Sequence, residues 1–344
     1  MKAVCLFVVW GLAVRPAAAT ETVQAGAGAN AALRYWMAFA LMENPTANSD
    51  VAKKLAAAAD GQSAWDPSLS PILDGNTEAL LTMRRGTHLL QCDWGYDYDR
   101  LADTPIANLP RARALARLNL LDGRRAAIEG RMGDAVDAWL AGVRFSRDIA
   151  ADGPLVAALI AASGLKAHLV ALTSVVRDGR VAAAGRARIE VEIAALPEAG
   201  FDWTVAARHE SNGTSALLRT MESAHDPLAL IATYFPPDAK DPAARRAEVA
   251  RMVGLESATS IDTEAVRAAV RRARLLNDEL RPLLVEAFGA RSESAAGLLQ
   301  RLDARASQDA LLSHAWSFAG SANQKKADVG TARDELIAAL RRAQ

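Results

Sequence analysis

The densest chemistry in this sequence lies between residues 92 and 99. There Trp94, Tyr96 and Tyr98 interleave with Asp93, Asp97 and Asp99, directly after Cys92. Flat aromatic faces beside carboxylates suit a sugar or an organic cation, held by stacking and charge-assisted hydrogen bonds. Trp94, Tyr96, Asp97 and Tyr98 are therefore the candidate ligand-binding residues. Carboxylates of the 93–99 loop could also serve as the acid and base of a glycan hydrolase. The competing expectation is structural: loop aromatics anchor a loop on the core, and the acids cap backbone groups or face water. The acids lack the Asp-x-Asp-x-Asp-Gly register and distant Glu of a calcium loop, so no metal is expected there.

Other reactive residues are thinly spread. His88 and Cys92 are four apart, the spacing of a thiol and its base on one helical face. A cysteine at a helix C-terminus has its thiol pKa raised by the negative end of the dipole, which favours a small buried apolar role instead. His209-Glu210 opens as a zinc-protease helix would, but position 213 is Gly and no second His follows on that face. There is no Gly-x-Ser-x-Gly, phosphate loop or dinucleotide fingerprint, so neither cofactor nor metal is expected. Acidic and basic residues balance at 40 each. That balance lacks the electrostatic footprint of a nucleic-acid binder.

The elements that must position these residues are helices. Alanine exceeds one residue in five, and arginine outnumbers lysine several-fold. Strong helix formers in that proportion, with no sustained period-two run, predict an all-α fold of antiparallel hairpins packed as a bundle or short irregular solenoid. The clearest pattern is a central hairpin over 108–176, with Asn108 as cap, a turn at Gly130, and Val136, Trp139, Leu140 and Val143 at i, i+3, i+4 and i+7. Leu155 to Val176 forms a long three-four stripe. A membrane span is one reading of its length, but Lys166 and His168 near its middle favour a buried helix.

Asn30 is expected to cap a first helix whose apolar face includes Leu33, Trp36, Met37, Ala40 and Leu41. Helices are expected over about 49–59 and 76–90, with a loop at 62–75. The Pro236–Pro242 connector separates a domain over 30–235 from a helical segment over 241–344, which could pack on it as one domain. The arginines at 111, 113, 117, 124, 125 and 131 are expected on a solvated face with local ion pairs.

Met1-Lys2, the apolar stretch Ala3 to Val14 and Ala17-Ala18-Ala19 have the form of a signal peptide over 1–19. Cleavage near Ala19 would place the chain in the periplasm or outside the cell, with no transmembrane segment in the mature protein. Removing the leader leaves one cysteine, Cys92, and no internal disulfide.

Gly130, Ala135, Trp139 and Gly142 resemble the second half of one tetratricopeptide hairpin. No further copy follows at a fixed period, so the resemblance implies local helix-pair geometry alone. Asn30-Ala-Ala-Leu-Arg-Tyr-Trp36, Cys92-Asp-Trp-Gly95 and the Leu/Arg-rich hairpin are similar to uncharacterised exported helical proteins of bacteria, a resemblance that brings no activity. The expectation is an exported binding or scaffolding protein of the cell envelope, its partner another envelope protein or a glycan.

Overall fold

The computed structural model describes residues 30–43, 49–96, 108–255, 262–317 and 319–343. The expected leader, Asp97 and Tyr98 lie outside them. The fold is all-α. Helices α1 (Ala31–Leu41), α2 (Asp50–Ala59), α3 (Ser70–Gly75) and α4 (Thr77–Gly86) precede the central trio, α5 (Leu109–Ile128), α6 (Met132–Ala150) and α7 (Leu155–Arg177). Next come α8 (Ala183–Ala194), α9 (Trp203–Ser223), α10 (Pro227–Tyr234) and α11 (Pro242–Met252). The chain continues through α12 (Thr263–Gly289), α13 (Ser292–Ala306), α14 (Ala310–Ala315) and α15 (Ala319–Arg342).

Asn30, Asn108 and Asp202 cap α1, α5 and α9, each accepting a backbone N–H of the first turn at 2.8–3.2 Å. Gly130 turns α5 into α6 with φ 81°, a conformation that disfavours side chains. The stripe Val136, Trp139, Leu140 and Val143 is buried against α5 and α7. A side chain at Gly123 would overlap the Trp139 indole, whose Nε1–H donates to the Leu120 carbonyl at 3.1 Å. That glycine lets α5 and α6 close around a large ring.

α7 is the middle of the molecule. By length and composition it could cross a membrane, and here it packs against α5, α6, α9 and α15. Lys166 reaches Asp328 of α15 at 2.9 Å, while His168 is completely buried. Helices on both sides of the 236–242 connector share the main apolar cluster, and a second cluster joins Leu218 and Ile231 to Val249, Val270 and Leu311. The described helices after the connector thus pack onto those before it along α9 and α7.

Three local expectations are corrected. Residues 62–75, read as a loop, hold a 3-10 turn and α3, because Asp66 caps Ser68 and Pro67 and Pro71 stand at first-turn positions that accept proline. The arginines of α5 reach other elements as well as local acids. Arg111 donates to the Phe39 carbonyl, Arg117 to Asp60 at 2.8 Å, Arg124 to the Ala58 carbonyl, and Arg125 to Asp74. Guanidinium groups therefore satisfy last-turn carbonyls of α1 and α2, where cations are favoured. The third correction, the face of α1, bears on the site.

Candidate functional site

The segment from Gln91 to Tyr96 lies beside α1, tied by Asn30, whose side chain bonds the backbone of Asp93 in both directions at 2.8 and 2.9 Å. Trp94 is buried, with 9% of its surface exposed. Its ring stacks on Tyr35 and Phe39, and its Nε1–H donates to the Asp148 carbonyl at 2.6 Å. That face is packed, so it serves as an anchor. Tyr96 packs partly buried against the same cluster. Asp93 accepts the Gly95 N–H at 2.8 Å and so closes its own turn. The remaining carboxylates expected of a glycan hydrolase, Asp97 and Asp99, lie outside the described residues.

Asp148, in the last turn of α6, is the node of this corner. Its side chain accepts the Tyr35 hydroxyl, and its carbonyl also takes the Cys92 thiol at 3.7 Å. Burial pushes the Asp148 carboxyl up to about 6 and raises both Tyr35 and Cys92. A thiol held protonated in this way is no nucleophile. His88 is exposed beyond the end of α4 and is not bonded to it.

The structure exchanges the roles of two tryptophans. Trp36, expected in the core, is 37% exposed, and Met37 is 50% exposed. With Leu33 and Leu41 they form a continuous apolar stripe on the outside of α1. The buried face is Ala31, Ala32, Tyr35, Ala38, Phe39 and Met42. This face can turn inward because α4 leaves room for its largest ring: a Cβ at Gly86 would lie 2.7 Å from the Tyr35 ring. Trp94 meets Trp36 edge to face at 6.2 Å between centroids, so the anchored loop supports the exposed ring from beneath. The available signal was that α1 is apolar on both faces, which leaves one face over.

A second place has an unusual carboxylate. α7 begins at Pro154 without a side-chain cap of its own, and the Leu155 N–H is taken by Glu210 of α9 at 3.1 Å. A negative group is favoured at that end of the dipole. Burial nevertheless pushes the Glu210 carboxyl up to about 7. It lines a cavity of about 120 Å³ with Thr214, Leu217, Phe235, Leu311 and Leu312. In sequence Glu210 stood out only through His209-Glu210, and none of the cavity's α10–α14 wall is foreshadowed locally.

Among the described residues no cluster of three His, Cys, Asp or Glu side chains could hold a metal ion. No protein-family model, curated protein or solved structure matches the chain.

Proposed function

We propose that the chain is an exported, non-catalytic binding or scaffolding protein of the cell envelope, which presents the outer face of α1 to another envelope protein. The observation that carries this reading is the stripe of Leu33, Trp36, Met37 and Leu41, left in solvent at i, i+3, i+4 and i+8 on a capped helix. Apolar side chains at that spacing are the anchors by which a helix docks in a groove of a partner. Trp36 is the residue type that most often dominates such contacts, and its ring is held in place by Trp94. A glycan would instead need an open aromatic face, and the Trp94 ring is packed.

The export half of the proposal rests on the leader pattern at 1–19. The test is photo-crosslinking in the native host, with the reactive residue at Met37 or, as a control, at exposed Val191 of α8. A discrete adduct in the envelope fraction is expected at position 37 alone, abolished by Leu33→Asp with Leu41→Asp. Equal crosslinking at both positions, or intact chain confined to the cytoplasm, would remove the reading.

A further inference from the structure

The apolar stripe of α1 leaves the cavity at Glu210 unused, and its chemistry is different. Glu210 and Thr214 stand one turn apart on α9 and supply the polar wall, while Leu217, Phe235, Leu311 and Leu312 supply the rest. Of the two carboxylate oxygens, Oε2 takes the Leu155 N–H, and Oε1 has no hydrogen-bond partner among the described residues. No lysine or arginine pairs with Glu210 among the described residues, although ion pairs are frequent elsewhere in the chain. Glu210 is partly buried, and a carboxylate partly withdrawn from water without a cation carries a cost that a ligand bringing the cation offsets.

We propose that this cavity binds a small primary amine, its ammonium group on Glu210 Oε1 and Thr214 and its hydrocarbon body against Leu217, Phe235, Leu311 and Leu312. The volume sets the size. An apolar cavity of about 150 Å³ accommodates benzene. About 120 Å³ therefore suits a branched alkyl amine of roughly five non-hydrogen atoms. A divalent metal is a poor match, because hard cations take six or more oxygen ligands and one carboxylate with one hydroxyl offers too few. A neutral alcohol of the same shape would fill the apolar part and leave the charge unmatched.

The probes are isobutylamine and its isostere isobutanol, titrated into the full chain by calorimetry with thermal melts in parallel. Saturable amine binding is expected at pH 8, at least tenfold tighter than isobutanol. Because the carboxyl is pushed up to about 7, it is mostly protonated at pH 6, and amine affinity there is expected to fall by about tenfold. Glu210→Gln should remove the preference for amine over alcohol. Ala315→Leu, which fills the void and keeps the carboxylate, should abolish binding of both probes. Equal affinity for the two probes overturns the proposal. So does amine binding that survives Ala315→Leu, or no saturable binding at millimolar amine.

Discussion

Two buried polar regions flank α7, and they are built in opposite ways. On the α5–α6 side, His168 donates from Nδ1 to the Gly164 carbonyl at 2.7 Å and accepts at Nε2 from Asn119 at 3.2 Å, the one tautomer that satisfies both nitrogens. Asn119 also donates to the Ala138 carbonyl at 2.7 Å and accepts from Arg84 Nε at 3.0 Å. Arg84 continues to Asp122 at 2.6 Å. On the α9 side, Glu210 has one oxygen bonded and one open, while Asn277 Oδ1 and the Trp316 indole N–H are buried without a partner among the described residues. The first region fixes the register of the central helices. In the second, Glu210 lines the cavity with one oxygen free to bond, which is what a ligand requires.

The largest effects should come from breaking the satisfied side. Trp139→Ala removes the ring around which α5 and α6 close and is expected to cost about 3–5 kcal/mol in a urea melt. Asn119→Ala strands His168 Nε2 and Arg84 Nε together, and about 2–4 kcal/mol should follow. A loss below about 0.5 kcal/mol, typical of surface positions, would mean that the network is not structural.

Gly142→Ala is a smaller and more specific break. A Cβ there would run into the His168 imidazole, so a cost of about 1–3 kcal/mol is expected from overpacking. In the double variant with His168→Ala the two losses should be markedly less than additive, because the second substitution removes the obstacle to the first. Strict additivity in the melts would show that the glycine serves some other contact.

How much of this was legible in the sequence depended on the distance over which each contact is made. Helices, caps and the central hairpin repeat every three or four residues, so Asn30, Asn108, Trp139 and the α7 stripe could be read locally. Gly142 stands on the same helix, but nothing in the local pattern names its neighbour His168. α1 defeated the periodicity argument, because both of its stripes are apolar and the choice was made by Gly86 on α4. The sequence pattern places Arg124 in water for a related reason: its acceptor, the Ala58 carbonyl, is 66 residues away. The partner of Glu210, 55 residues distant, is a backbone N–H that any residue type would present, so no pattern of side chains announces it.

Glu210→Gln sharpens the comparison with the smallest change in shape. The amide oxygen can still accept the Leu155 N–H, so the α7 terminus stays capped while the half-buried charge disappears. A carboxyl raised from 4.5 to about 7 binds its proton more tightly in the folded chain than in the unfolded one. It therefore stabilises the fold as pH falls from about 7 toward 4.5, and costs stability above 7, where it is ionised. His168 acts in the other direction. Held down to about 4 by burial, it contributes stability above 6.5 that is lost as pH falls toward 4. In the wild type the Glu210 slope opposes that of His168 between pH 6.5 and 4.5, and Asp148, pushed up to about 6, adds to the Glu210 side below pH 6. The stability curve should therefore be shallow there.

In Glu210→Gln one slope is gone. The variant should be about 1–2 kcal/mol more stable than wild type at pH 8, close to it at pH 5, and steeper in its acid loss as His168 takes up its proton. Urea melts at pH 8, 6.5 and 5 read all three points. A variant less stable than wild type at pH 8 would mean that the ionised carboxylate is needed at the end of α7, and that Glu210 belongs with the satisfied network after all.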